Sequence, residues 1–117
     1  MDEQMFKTRT KQLALRVIPV VEALPKRKAA DAIGKQLLRS TMSVGANYRA
    51  ACRGRSTADV VGKLSIVEEE TDETLYWLEL LGDSGIMPER KLKNLTAETD
   101  EILAMTVASI KTLRAKQ

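Results

Sequence analysis

Five carboxylates crowd one short run of this chain, Glu68-Glu69-Glu70 followed by Asp72 and Glu73. On a helix, Glu69 and Glu73 stand one turn apart on one face, as do Glu68 and Asp72. Carboxylates at that spacing can hold a divalent cation or move protons. Di-iron bundles, however, pair glutamate with a Glu-x-x-His motif, and this chain has no histidine. A site built from oxygen ligands alone needs carboxylates from other helices, for which Glu22 and Glu98 are the obvious donors. The competing role is structural: an arginine on a neighbouring helix answers the cluster and sets register. The structural role is the stronger reading, and no metal and no cofactor are expected.

The remaining chemistry-bearing residues are basic or solitary. Lys26, Arg27, Lys28, Lys35, Arg39, Arg49, Arg53 and Arg55 form a basic set, joined by Lys63 farther along. Phosphate groups need only such cations, which supply affinity that is independent of sequence and sensitive to salt. Tyr48 is the only nearby aromatic, a thin supply for base stacking. Cys52 sits among Arg49, Arg53 and Arg55, which favours a thiolate. With no histidine there is no Ser-His-Asp arrangement and no imidazole base, and no glycine-rich phosphate loop is present. No catalytic residue is expected, and the chain reads as a non-enzyme.

What must position these residues is a set of long helices. The 117 residues make one domain, 1–117, large enough for a single core. Apolar residues make up 44% but aromatics only 3%, so that core is aliphatic. The first ten residues lack an apolar signal core and no run approaches a membrane span, so the expected location is the cytoplasm.

Helix one is expected over about 5–24. Phe6, Thr10, Leu13, Val17, Val20 and Leu24 recur on one face, with a kink at Pro19 and a stop at Pro25. Helix two is expected over 29–53, with Ile33, Leu37, Ser40, Val44, Asn47 and Ala51 inward and Gly54 as its stop. Helix three, 57–82, opens on a Ser56 cap with Asp59 completing a box-like pair. Its stripe runs Thr57, Val60, Leu64, Val67, Thr71, Thr74, Leu78 and Leu81. Helix four, 88–115, starts with Pro88 in its first turn and turns Leu92, Leu95, Thr99, Ile102, Thr106, Ser109 and Leu113 inward.

Short connections between long amphipathic helices give antiparallel neighbours. The fold expected is therefore all-α, an up-down-up-down four-helix bundle. Folding helices two and three back about Gly54-Arg55 sets Arg39 near Glu70 and Gln36 near Glu73. Arg39 thus becomes a partner for Glu69, Glu70 or Glu73. Asn47, on the core stripe, must satisfy its amide and would fix register. Lys26–Lys28 and Arg53–Arg55 fall at opposite ends of the bundle. Trp77, Leu80, Leu103, Val107 and Ile110 lie off the main seams, and a contiguous exposed patch of that kind predicts a homo-oligomer.

Charge is divided unevenly. Residues 57–85 carry one Lys/Arg against eight Asp/Glu, whereas residues 29–56 carry five against one. An acidic helix beside basic ones is the simplest account, and it leaves room for a partner-binding basic surface.

One stretch resembles a known family. Residues 36–86, from QLLRSTMSVGANYRAACRGRS to YWLELLGDSGI, are similar to the bacterial bundle proteins named for intervening sequences in 23S ribosomal RNA genes. The likeness rests on Gln36, Arg39, Ser40, Ser43 and Asn47, then on Arg55-Ser56, Leu64, Glu69, Glu73 and Trp77-Leu78-Glu79. It extends more loosely to Leu24-Pro25. Ala50 stands where members often carry a glutamate three residues after the asparagine. The resemblance implies an antiparallel bundle assembling as a ring-like homopentamer, with no enzyme activity. A related branch, the accessory variability protein of diversity-generating retroelements, implies binding to nucleic acid and to a reverse transcriptase.

The function expected is that of a non-enzymatic oligomeric adaptor. It binds nucleic acid (structured RNA above all), or an enzyme acting on nucleic acid, through Arg49, Arg53, Arg55, Lys63 and Lys26–Lys28. The alternative is a structural or protein-binding bundle whose charges satisfy one another. Arg39, Asn47, Glu69 and Glu73 are expected to be structural.

Overall fold

The computed structural model describes residues 2–117 as four helices, with no strand among the described residues. They are α1 Glu3–Glu22, α2 Lys28–Cys52, α3 Thr57–Asp83 and α4 Glu89–Ala115. Each helix packs on its two neighbours and the diagonal pairs make no close backbone approach, so the four form an antiparallel bundle of 47 × 20 × 20 Å. The α2–α3 seam is the most extensive and the α1–α4 seam the least.

Local chemistry explains where the helices begin and end. Asp2 caps α1, its Oδ1 accepting from Gln4 N at 3.0 Å, which starts the helix two residues before the position expected from Phe6. The helix runs on through Pro19. Both Pro19 and Leu15 are exposed, and the Leu15 carbonyl goes without the helical donor that proline lacks. Ser56 caps α3 by accepting from Asp59 N at 3.1 Å. Asp59 reaches back to Arg55 N, not to Ser56 N as a regular capping box requires. Gly85, at φ +75°, takes the left-handed turn that closes α3. Pro88 caps α4 from outside and does not form its first turn.

The core is aliphatic around one aromatic pair, Phe6 stacked on Tyr48 with ring centroids 4.5 Å apart. Six hydroxyl residues of the predicted stripes, Thr10, Ser40, Thr71, Thr74, Thr99 and Thr106, are buried, as is Thr41. Each of the six donates to a carbonyl of the preceding helical turn, so its burial leaves no donor unmet. Thr74 Oγ1 also lies 2.9 Å from Ser40 Oγ, a hydroxyl–hydroxyl contact that crosses from α3 to α2.

Several positions differ from the sequence expectation. Tyr48 takes the core place expected of Asn47, because the larger ring fills the space against Phe6. Thr57 is exposed at the first turn of α3, and Val61 is buried where Val60 was expected. Ile110 is core, whereas Trp77, Leu80, Leu103 and Val107 remain half-buried. The expected apolar surface row is therefore shorter by one residue.

Candidate nucleic-acid interface

The acidic cluster is divided by helix geometry. Glu70 and Glu73 turn toward α2, where Arg39 meets both: Nη1 lies 3.1 Å from Glu70 Oε2 and Nη2 lies 2.6 Å from Glu73 Oε2. Gln36 accepts from Arg39 Nε at 3.1 Å, so it braces the arginine and does not face Glu73 directly. The hydrogen bond from Arg39 holds the Glu73 carboxyl below its ordinary range, and Trp77 Nε1 donates to the same residue. Glu69 points outward and joins no ion pair among the described residues. Glu98, one of the two donors expected from other helices, is engaged by Arg9 through two hydrogen bonds of 2.9 and 2.6 Å. Glu22 is exposed at the end of α1. Among the described residues no three carboxylate or thiol groups converge as metal ligands would.

Asn47 is half-buried and satisfied inside its own helix, its Nδ2 donating to Ser43 O and Ser43 Oγ. It sets no register between helices, contrary to the expectation from its stripe position. Burial pushes the Cys52 thiol above its ordinary value, aided by Glu3, so the neighbouring arginines do not make it a thiolate. Burial likewise pushes the Tyr48 phenol up, and stacking on Phe6 removes the ring from any base-stacking surface.

The cations behave differently. Arg49, Arg53 and Arg55 are exposed, Lys63 is half-buried, and none joins an ion pair among the described residues. Arg53 and Arg55 stand in the α2–α3 turn at one end of the bundle. Gly54 between them is fixed by a close approach, since a Cβ there would fall 2.5 Å from Val60 Cγ2. Lys26, Arg27 and Lys28 stand at the other end, exposed on the rim of a cleft of about 550 Å³.

Sequence reasoning missed a third group. Lys7 and Lys11 of α1 and Arg49 of α2 share one surface groove of about 820 Å³, and no carboxylate lines it. The signal was available in the spacing of Lys7 and Lys11, one turn apart and off the apolar stripe. The helix pairing that brings Arg49 beside them was needed to see it.

The fold is that of an antiparallel four-helix bundle with groups of exposed cations at both ends and along one groove. Comparison with known proteins places it further. The sequence model of the 23S rRNA-intervening sequence protein family matches residues 3–108, and the chain belongs to that family. It is also similar to the crystal structure of a protein of unknown function from the S23 ribosomal protein family of Bacteroides thetaiotaomicron VPI-5482. That likeness has a TM-score of 0.84 at 32% identity, over 91% of this chain and 98% of the other. No curated protein matches the chain. No helix is long and apolar enough to cross a membrane.

Proposed function

We propose that this chain is a non-enzymatic adaptor that assembles with copies of itself, as a ring-like pentamer, and binds structured RNA through its cationic ends. The observation that carries the proposal is the state of Arg53 and Arg55. Both are exposed and free of ion pairs among the described residues, although the next helix is rich in carboxylates. Arg39 answers two of those carboxylates, so neutralisation of the acidic helix does not consume the arginines at the turn.

A ring of copies repeats Arg53 and Arg55 around one rim and Lys26–Lys28 around the other. Repetition raises the local phosphate affinity without any new contact type. Exposed cations that meet phosphates read charge and shape rather than base identity. Membership of the family accords with an RNA partner, and the related retroelement branch adds a reverse transcriptase as a second partner of the same surface.

Titration of a labelled RNA hairpin at several salt concentrations tests the proposal. On single strands, log affinity should fall with log salt by about 0.7 per phosphate neutralised, and more steeply on duplex DNA. Arg53→Glu with Arg55→Glu should abolish binding while helicity and assembly persist. No binding to RNA or DNA at low salt overturns the proposal and leaves the structural bundle, a reading favoured by the paired Arg39 and Arg9.

A further inference from the structure

The groove between α1 and α2 has features that the monomer does not use. Leu15 and Met42 stand on its walls 49% and 51% exposed, and Ala14, Gly45 and Ala46 keep it open. Thr41 lies at its base, 1% exposed, and its Oγ1 has no hydrogen-bond partner among the described residues. A buried hydroxyl without a partner is costly in a finished structure. Lys7, Lys11 and Arg49 ring the same groove with no carboxylate to balance them.

A second surface has the complementary features. Glu69, Asp72, Tyr76 and Asp83 recur at steps of three, four and seven, which puts them on one face of α3. All four are exposed, and none of the three carboxylates joins an ion pair among the described residues. Tyr76 is 55% exposed, its ring supported edge-on by Trp77 with centroids 5.0 Å apart. It offers an apolar ring and a hydroxyl at the centre of an acidic face.

We infer that the acidic face of α3 from a second copy of this chain docks in the α1–α2 groove. This rests on the self-assembly part of the proposed function and specifies its surfaces. The charges are opposite in sign, and each surface carries exposed apolar side chains at its middle. Within one chain the two surfaces cannot meet, because α3 makes no close approach to α1 and lies on the far side of α2. A contact between unlike surfaces is head-to-tail, and such contacts close into rings when the rotation allows. Arg49 then serves the contact between copies, while Arg53 and Arg55 beyond it stay free for phosphate.

Sedimentation of the full chain and three variants tests this. Wild type should assemble at micromolar concentration. Lys7→Glu with Lys11→Glu should weaken self-association by about a hundredfold, as like charges then face each other. Glu69→Lys with Asp72→Lys, on the other surface, should do the same. The chain carrying all four substitutions should assemble again, a rescue that a general loss of stability does not produce. Circular dichroism checks that each variant keeps its helices.

If wild type assembles and both charge reversals leave it assembled, the docking mode is wrong while the oligomeric reading stands. If Lys7→Glu with Lys11→Glu stays assembled but loses RNA, the groove is a nucleic-acid track, which also overturns the inference. A monomeric wild type overturns both the docking and the self-assembly.

Discussion

Arg39 Nη2 lies 2.6 Å from Glu73 Oε2, and the same guanidinium reaches Glu70, so one side chain ties α2 to α3 across the largest seam of the bundle. Arg39 is nearly half exposed and Glu73 about a third, so water screens the pair. Arg39→Met is expected to cost less than about 1 kcal/mol at neutral pH, measured by urea unfolding. The pH dependence is more telling. Glu73 titrates below its unfolded value, so its contribution is present above the ordinary carboxylate range and is lost as pH falls through the lowered folded value. Stability between neutral and acid pH should therefore fall less steeply in Arg39→Met than in wild type. Parallel slopes would show that the pair does not lower the Glu73 pKa.

The second cross-helix pair should matter more. Arg9 grips Glu98 with two hydrogen bonds, both side chains are about three-quarters buried or more, and they join α1 to α4 along the weakest seam. Removing one partner leaves the other poorly solvated. Glu98→Gln is expected to cost about 1–3 kcal/mol and to raise hydrogen exchange first in α1. A loss no larger than that of Arg39→Met contradicts the assignment of this pair as the α1–α4 clasp.

These two pairs show what could be read in advance. The antiparallel fold-back about Gly54-Arg55 follows from short loops, so Arg39 could be set opposite Glu70 from residue numbers alone. Arg9 and Glu98 are near the two ends of the chain, and their meeting depends on how α1 closes against α4, which no local spacing records. Helical period placed Thr10, Ser40, Thr71 and Thr99 in the core despite their hydroxyls. It also put Asn47 there, where Tyr48 is found, because a period fixes a face only to within one residue. The cations at Arg53 and Arg55 were legible as a cluster. The groove joining Lys7 and Lys11 to Arg49 was not, because it exists only once two helices lie side by side.

Two glycines should respond in opposite ways. Gly62 stands inside α3 with open space where a Cβ would go, so Gly62→Ala should stabilise by about 0.5–1 kcal/mol through helix propensity alone. Gly54 sits where a Cβ would fall 2.5 Å from Val60 Cγ2 and 3.1 Å from the Ala51 carbonyl. Gly54→Ala should destabilise by about 1–3 kcal/mol as the turn shifts. Thermal melts of the two variants give the comparison. A neutral Gly54→Ala would mean that the α2–α3 turn accommodates the methyl without strain.

Two buried threonines separate a used hydroxyl from an unused one. Thr74 Oγ1 bridges to Ser40 Oγ and to the Glu70 carbonyl, so Thr74→Val removes a cross-helix bond and should cost about 1 kcal/mol. Thr41 Oγ1 has no partner among the described residues, and valine has nearly the same shape. In the Lys7→Glu, Lys11→Glu background, where the groove stays empty, Thr41→Val should be neutral or stabilising by up to about 1 kcal/mol. Thr41 Oγ1 is closed to solvent, so the same substitution should bring the same gain in the assembled wild type. A loss of stability in either background would show that the Thr41 hydroxyl does find a partner.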